Sequence, residues 1–371
     1  MRDTDRRRRA FRLAVLVAGA SMGAIVASVS SIAQPAPTPT APAPVPPAPT
    51  SPPRAPTASV ARIDLTVADL EARAAFFIDA LGATRGITAT AASSPQLGSL
   101  LALPNVSART TTLRLGNETL GLRQLERARG RAIRRDAASR DLDFPHVAIV
   151  VADIDAAWRR VIAAPGIRRI SPAPQRIPDD NPAAGGIRAA YFRDAEGHPL
   201  ELIWYPNGRG DPRWQRRTRA SAIVLGIDHT AIAARSTDAS RRFYVDLLGL
   251  QVAGTSLNSG VEQQRLSGVR GARVAITAMR GTSGPGVELL EYQAPGPGRA
   301  SASSGAADLA HTETVIAVAD LDATIARLRE ANVPMLAGAP SPCIDSVCVN
   351  ARSRAIVVRD PDGHAVRLEG R

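Results

Sequence analysis

The stretch FRDAEGHPLELIW at residues 192–204 is written again near the C-terminus as VRDPDGHAVRLEG at residues 358–370. Asp194 aligns with Asp360, a shift of 166 residues. Both copies contain the pattern D-x-x-G-H between two apolar runs of alternating character. This pattern predicts a tight turn between the last two strands of a unit, in which the glycine adopts a positive φ.

Two further pairs of segments repeat at a shift of 167 residues. AFFIDALGATR at 75–85 aligns with RFYVDLLGLQV at 242–252, and HVAIVVADIDA at 146–156 aligns with ETVIAVADLDA at 313–323. Three matched segments at an almost constant offset indicate that the chain contains a duplicated domain.

Each copy also divides into two similar units. A unit opens with an alternating strand, continues with Asp or Ser in a position to cap a helix, and then gives an amphipathic helix and further strands. The sequence therefore predicts four β-α-β-β-β modules of the α+β class. We place an N-terminal domain at 58–206, a hinge at 207–222 and a C-terminal domain at 223–371.

The strand-Asp-helix opening, together with FYVDLLG, VELLEY and DPDGH, resembles the vicinal oxygen chelate superfamily, which includes glyoxalase, bleomycin-resistance and extradiol dioxygenase-like proteins. The resemblance implies tandem glyoxalase-like domains, in which two βαβββ modules of each domain curl into a U-shaped trough. It also implies a small-molecule ligand and four metal-ligand positions per trough, which suit Zn, Mn, Fe or Ni.

Counted from the family landmarks, the N-terminal copy places Arg62, Gly121, His146 and Glu201 at the four ligand positions. Arg62 would bring a permanent positive charge to a cation site, and glycine offers no ligand atom. We therefore expect a metal-free N-terminal trough, in which Glu201 pairs with Arg62 or His146. Replacing His146 should then leave the metal content unchanged.

The C-terminal copy places His229, Glu288, Glu313 and Arg367 at the same positions. His311 lies two residues before Glu313 and so on the same strand face. The resemblance thus implies four candidate metal ligands in a C-terminal trough, which are His229, Glu288, His311 and Glu313. Glu288 and Glu313 are also the candidate catalytic bases.

Arg367 takes the place of the usual glutamate in the more complete site. One interpretation is that Arg367 binds a substrate carboxylate, a role that its planar fork of donors suits. The alternative is a salt bridge with Glu313 or Glu288 inside an empty trough. His198 and His364 belong to the D-x-x-G-H turns, where we expect exposure and no role as ligand or base.

The N-terminal 57 residues read as targeting sequence and spacer. Residues 1–33 combine a basic head with an uncharged run that ends in Ser31-Ile-Ala33, which predicts a secretory signal peptide with a resemblance to twin-arginine signals. An uncleaved anchor is the alternative. Residues 34–57 form a Pro/Ala-rich linker. We expect export to the periplasm or cell envelope, with no stable membrane insertion after cleavage.

In an exported protein, the two cysteines Cys343 and Cys348 predict a disulfide. All 46 basic residues are arginine, and the formal net charge is +12. The arginines are scattered, with no basic stripe interleaved with aromatic residues, which argues against nucleic-acid binding.

The sequence leaves three classes of function open, of which the third is an envelope scaffold with inactive sites. The first is a metal-dependent lyase, isomerase or dioxygenase that uses the C-terminal trough, and the second is a metal-free, non-catalytic module that binds or sequesters a small molecule. It leaves open whether the protein is an enzyme and whether it forms a homodimer.

Overall fold

The computed structural model describes residues 57–215, 223–300, 304–343 and 352–371. The predicted signal peptide, almost all of the linker, the last part of the hinge and Cys348 lie outside these residues, so export and the disulfide stay predictions. No helix among the described residues has the length and apolar character needed to cross a membrane.

Four modules follow one another along the chain, each with a strand, a helix and then further strands. Module 1 contains β1 (Ala58–Thr66), α1 (Leu70–Leu81), β2 (Thr84–Ala91), α2 (Pro95–Leu101), β3 (Ser107–Leu115) and β4 (Glu118–Glu126). Module 2 contains β5 (His146–Val151), α3 (Ile154–Ile162), the two-residue strands β6 (Arg168–Arg169) and β7 (Gln175–Arg176), β8 (Arg188–Arg193) and β9 (Pro199–Trp204).

A 3-10 turn at Pro212–Gln215 precedes the second half of the chain. Module 3 contains β10 (Val224–Ala233), α4 (Thr237–Arg241) with a π-helical continuation at Arg242–Leu247, β11 (Gln251–Asn258), α5 (Gly260–Ser267), β12 (Arg273–Arg280) and β13 (Gly286–Ala294). Module 4 contains β14 (Thr312–Val318), α6 (Leu321–Glu330), β15 (Ser341–Pro342), β16 (Arg354–Arg359) and β17 (Ala365–Gly370).

The predicted helix caps are confirmed in all four modules. Asp69, Asp153, Ser236 and Asp320 have extended backbone, and the side chain of each accepts a hydrogen bond from a backbone N–H in the first turn of the following helix. Because these N–H groups have no partner within the helix, each cap fixes the point at which a strand gives way to a helix.

The D-x-x-G-H turns also have the predicted backbone, with φ of 101° at Gly197 and 91° at Gly363. Their histidines correct an expectation, because neither is exposed. His198 is buried, with Nδ1 3.0 Å from Asp194 Oδ2 and Nε2 2.9 Å from the backbone oxygen of Thr66. This histidine therefore joins module 2 to module 1.

The strands form two sheets, and each sheet combines one module from each half of the chain. The first sheet has the order β15-β16-β17-β14-β1-β4-β3-β2, and the second has the order β11-β12-β13-β10-β5-β9-β8-β6. The α+β class and the trough made of two βαβββ modules are confirmed. We call the two troughs the 1–4 trough and the 2–3 trough, after the modules whose strands form them.

The grouping of modules into troughs differs from the expectation that consecutive modules share one. β1 pairs antiparallel with β14, and β5 pairs antiparallel with β10. The modules of one half are joined instead through their helices. Phe77 and Trp158 belong to a core shared by modules 1 and 2, and Phe243 and Leu328 belong to a core shared by modules 3 and 4. Apolar helix faces thus hold each half together, while sheet edges join the halves.

Candidate metal centre and cleft

Four buried or partly buried side chains that the sequence assigned to two separate troughs meet in the 2–3 trough. This four-residue cluster consists of His146, Glu201, His229 and Glu288. Each of the four central strands, β9, β5, β10 and β13, supplies one member. The cluster therefore lies across the middle of the second sheet.

The strand register explains why these side chains share one face. Ala148 on β5 pairs with Glu201 on β9 and with His229 on β10. Ala231 on β10 pairs with His146 on β5 and with Glu288 on β13. Residues two apart on a strand point to the same face. Because both central residues are alanine, the longer side chains on either side can converge above them.

Ligand atoms of His146, Glu201 and His229 all lie within 4.8 Å of one another, and Glu288 joins this set through His229. Glu201 Oε2 is 3.2 Å from His146 Nε2 and 3.4 Å from His229 Nε2. His229 Nε2 is 3.3 Å from Glu288 Oε2. Nitrogen and oxygen ligands at about 2.0–2.2 Å from one ion would be roughly 3–3.5 Å from each other. The donor set of two imidazoles and two carboxylates suits Zn, Mn, Fe or Ni.

The imidazole of His229 faces two carboxylates. Its Nε2 is buried, 3.4 Å from Glu201 Oε2 and 3.3 Å from Glu288 Oε2, and has no well-aligned hydrogen bond with any residue that the structure describes. Burial by itself lowers the pKa of His229, but the carboxylates of Glu288, Asp228 and Glu201 outweigh it and raise the pKa to about 10. The carboxylates therefore favour a positive charge at this point, and a bound divalent ion would take the place of the proton.

Asp228 holds the other nitrogen of His229. Its carboxylate accepts hydrogen bonds from His229 Nδ1 at 2.9 Å, from Trp214 Nε1 at 3.1 Å and from Arg280 Nη2 at 2.8 Å. Ligand atoms of Asp228, His229 and Glu288 also lie within 4.8 Å of one another. However, Arg280 already neutralises Asp228, so we assign Asp228 to orientation of the imidazole rather than to metal binding.

We expect Asp228→Asn to weaken binding of a divalent metal ion by about 10- to 100-fold, the usual cost of losing a carboxylate behind a ligating histidine. Asp211→Asn is the control, because Asp211 is exposed at the cleft mouth and pairs with Arg213. Titration of the metal-free proteins with Mn²⁺ or Zn²⁺ measures both affinities. Equal affinities of the two variants would contradict the role given to Asp228.

The two glutamates of the cluster have opposite electrostatic environments. Burial raises the pKa of Glu288 above its usual range, against the lowering effect of His229. Burial would also raise the pKa of Glu201, but the imidazoles of His146 and His229 outweigh it and lower the value. Opposite shifts in neighbouring carboxylates are typical of groups with different roles in proton transfer.

A cleft leads from the surface to the cluster. It has a volume of about 800 Å³, and Tyr205, Arg280 and Glu288 are among its lining residues. A smaller inner chamber of about 90 Å³ adjoins it and is lined by Glu201, His229 and Glu288. Glu288 lines both spaces, so a molecule that enters the cleft can contact this carboxylate.

Comparison with known proteins agrees with this architecture. The family model of the Glyoxalase/Bleomycin resistance protein/Dioxygenase superfamily matches residues 226–368. A 2-epi-5-epi-valiolone epimerase from Actinomyces sp is 36% identical over 152 residues, which cover 40% of this chain and 81% of that enzyme. The chain belongs to this superfamily.

Solved structures of the superfamily share the fold over most of the chain. Glyoxalase I from Zea mays is 14% identical with a TM-score of 0.53, and the match covers 85% of this chain and 92% of that protein. A putative dioxygenase from Bacillus subtilis is 13% identical with a TM-score of 0.50, covering 85% and 86%. At these identities the likeness establishes the fold alone.

The 1–4 trough carries charged pairs at the superfamily's ligand positions. We call this set the arginine network, and it consists of Arg62, Arg123, Arg367, Asp64, Glu313 and Glu369. Arg123 forms two hydrogen bonds of 3.0 Å with the carboxylate of Glu313. Arg62 Nη2 donates to Glu369 Oε1 at 2.9 Å. All six side chains are buried, and three positive charges balance three negative ones.

Gly121 is explained by its neighbour on the adjacent strand. Asp64 on β1 pairs with Gly121 on β4, and a Cβ atom at Gly121 would lie 2.0 Å from Asp64 Oδ1. A side chain at position 121 would therefore displace the carboxylate that pairs with Arg62. Glycine at the position that the sequence analysis counted as a metal-ligand position therefore leaves room for the Asp64–Arg62 ion pair.

The metal-ligand candidates from the sequence are thus divided between the two troughs. His229 and Glu288 meet each other, whereas His311 and Glu313 lie in the 1–4 trough, with His311 Nε2 2.9 Å from Glu313 Oε1. Glu313 is fully buried and pairs with Arg123. It therefore does not lie near the cleft, where a catalytic base would have to be. The sequence predicts a single metal site in the C-terminal half. The structure contradicts this expectation, because modules 3 and 4 contribute to different sheets.

Arg367 and Glu201 also have partners other than those expected. Arg367 is completely buried and forms an ion pair of 3.0 Å with Glu369, while its Nη2 contacts Cys343 Sγ at 3.3 Å. It is therefore not placed to bind a substrate in the 2–3 cleft. Glu201 pairs with His146, one of the two expected partners, but Arg62 belongs to the other sheet.

Three residues of the site were not found from the sequence. Asp228 was passed over although it precedes a candidate ligand, and Trp214 belongs to a segment interpreted as a hinge. Gln263 lies on α5, a helix that the β-α-β-β-β plan does not contain. The Asp-His pair at 228–229 was the available signal for the first of them, because carboxylates commonly hold ligating imidazoles.

Proposed function

We propose that this protein is a metal-dependent isomerase of the epimerase type, which acts at the carbon next to a carbonyl group of a small molecule bound in the 2–3 trough. The convergence of two imidazoles and two carboxylates at the inner end of a cleft carries the proposal. The similarity to an epimerase supports the reaction class.

The metal would be held by His146, Glu201, His229 and Glu288. Two carboxylates would neutralise a divalent ion, and Asp228 is already neutralised by Arg280. When bound, such an ion supplies a positive charge that polarises a carbonyl oxygen and so acidifies the neighbouring C–H bond.

Glu288 is the group that we assign to proton removal. It is the more accessible glutamate of the cluster, with a side chain 19% exposed compared with 6% for Glu201. Glu288 also lines both the cleft and the inner chamber, whereas Glu201 lines the chamber alone. The carboxylate would take the proton from the substrate carbon and leave that carbon free to invert.

Glu201 is placed to act from the other side of the chamber. It lies on β9 and Glu288 on β13, so the two carboxylates flank the central strands β5 and β10. Both line the inner chamber. For the carbon to invert, the proton that Glu288 removes on one face would be replaced on the opposite face by a proton from water, which Glu201 would accept and pass on before returning to its ionised form.

We expect Glu288→Gln to lower kcat for epimerisation of 2-epi-5-epi-valiolone by at least about 100-fold, the usual contribution of a general base. The amide keeps an oxygen for the metal but cannot take a proton. Incorporation of deuterium from D₂O, followed by NMR, measures the step directly. Metal content of each variant is determined in parallel.

Glu291→Gln is the matched control for this substitution. Glu291 lies three residues further along β13 and so on the opposite face, where it accepts a hydrogen bond from the backbone N–H of Thr237. The control should retain wild-type turnover. Deuterium incorporation by metal-loaded Glu288→Gln at the wild-type rate would exclude Glu288 as the base. Binding without exchange by the wild type would favour a non-catalytic binding protein.

A further inference from the structure

Gln263 is a buried polar side chain in the inner chamber that the proposed reaction does not use. Besides the cluster, the wall of the chamber is mostly apolar, with Ile177, Val274, Ile276 and Leu290 among its members. Gln263 projects from α5 and also lines this space. An amide is costly to bury unless it makes a hydrogen bond.

Gln263 is 3% exposed, and its Oε1 makes no hydrogen bond within the described part of the chain. Other polar groups near it have partners. The backbone oxygen of Gln263 accepts from Ser267 Oγ at 2.8 Å, and Asn258 Oδ1 accepts from Asn181 Nδ2 at 3.0 Å. Gln263 Oε1 therefore differs from these two neighbours, and a buried acceptor without a donor points to a ligand that supplies one.

We propose that Gln263 determines specificity by binding a hydroxyl group of the substrate, so that the site selects small hydroxylated ketones over ketones without hydroxyl groups. The proposal rests on the proposed function, because it assumes that the carbonyl group lies at the four-residue cluster. A hydroxyl group can both donate and accept a hydrogen bond, so it satisfies the amide in either orientation. The amide is neutral, and much of the surrounding wall is apolar. A charged ammonium group would lose its hydration there without gaining a counter-ion from Gln263.

The size of the chamber adds to this assignment. A volume of about 90 Å³ admits only the reacting end of a substrate, and the cleft of about 800 Å³ accommodates the remainder. The hydroxyl group recognised by Gln263 is therefore close to the reacting carbonyl. A site that hydrogen-bonds a substrate hydroxyl discriminates strongly against an analogue that lacks it, because the polar group of the protein is then left unpaired.

The test compares two probes, pentahydroxycyclohexanone and cyclohexanone, on metal-loaded full-length protein. Deuterium exchange next to the carbonyl is followed by NMR, and binding of each ketone is measured by calorimetry. We expect Gln263→Leu to lower kcat/KM for the hydroxylated ketone by about 10- to 100-fold, the range for a lost buried hydrogen bond. Exchange of cyclohexanone should be unchanged or faster.

Gln264→Leu is the matched control. It is the same substitution on the same helix, but Gln264 does not line the chamber and its Oε1 accepts from the backbone N–H of Gly271 at 3.0 Å. The control should keep the preference for the hydroxylated ketone. An equal loss for both ketones in Gln263→Leu, or no loss for either, would overturn the proposal.

The binding measurement separates the two proposals. If the wild type exchanges neither ketone, the proposed isomerase function fails, and binding then decides the role of Gln263. Tighter binding of the hydroxylated ketone that disappears in Gln263→Leu but not in Gln264→Leu would support it. Equal binding of both ketones by the wild type, or binding of neither, would overturn it.

Discussion

Replacing His146 by alanine is expected to lower the affinity for a divalent metal ion by more than about 100-fold. Loss of a group that only orients a ligand typically costs 10- to 100-fold, so the loss of a ligand itself should exceed that range. The remaining three members of the cluster leave one position to water. Metal content after dialysis, and titration of the metal-free variant with Mn²⁺ or Zn²⁺, measure the effect.

His311→Ala is the control for this prediction. Both histidines are buried and each lies beside a glutamate, but His311 belongs to the 1–4 trough. The control should bind metal like the wild type. The two outcomes reverse the expectation from the sequence, in which His146 had no role in metal binding and His311 was a candidate ligand. Loss of metal in His311→Ala with retention in His146→Ala would contradict the assignment.

The second large effect concerns stability. We expect Arg123→Met to lower the free energy of unfolding by about 3–5 kcal/mol, the usual cost of removing one partner from a buried ion pair. Glu313 would lose two hydrogen bonds and its counter-charge in a fully buried position. Burial alone would raise the pKa of Glu313, but Arg123 and His311 outweigh it and hold the pKa well below its usual range. Urea denaturation measures the loss.

Arg85→Met provides the comparison for the stability measurement. Arg85 also pairs with a glutamate, Glu71, at 2.8 Å, but both side chains are substantially exposed. Exposed pairs contribute little, so the control should lose less than about 1 kcal/mol. Similar losses in the two variants would show that the arginine network is not a major source of stability. Metal content should be unchanged in both variants.

The repeated elements could be predicted because their signals are local. A capping Asp or Ser at the end of each first strand, and a glycine in each D-x-x-G-H turn, depend only on neighbouring residues. These signals gave the four modules and the fold class. The helix α5 was not predicted, since it lies inside the segment between β11 and β12 where the plan of the unit has only strands.

The pairing of modules could not be obtained from such signals. The first strands β1, β5, β10 and β14 have similar patterns, and each offers an edge that any of the others could fit. Which strands pair depends on contacts between residues far apart in the chain. Hydrophobic periodicity does not encode these contacts.

The candidate ligands themselves contained a usable signal. Modules 2 and 3 each supply one histidine and one glutamate at the superfamily's positions, whereas modules 1 and 4 each supply an arginine. If the His-Glu pair of module 2 had been combined with that of module 3, His146 would have been assigned to the same site as His229. The sequence analysis instead kept each half of the chain as a separate trough, so it divided the four-residue cluster and joined His229 to residues of the arginine network.

Anomalous diffraction from crystals grown with Mn²⁺ or Ni²⁺ tests the central claim most directly. The account predicts one strong peak per chain, bounded by His146, Glu201, His229 and Glu288, and none in the 1–4 trough. A peak beside His311 and Glu313, or the absence of any peak at the four-residue cluster under saturating metal, would contradict it.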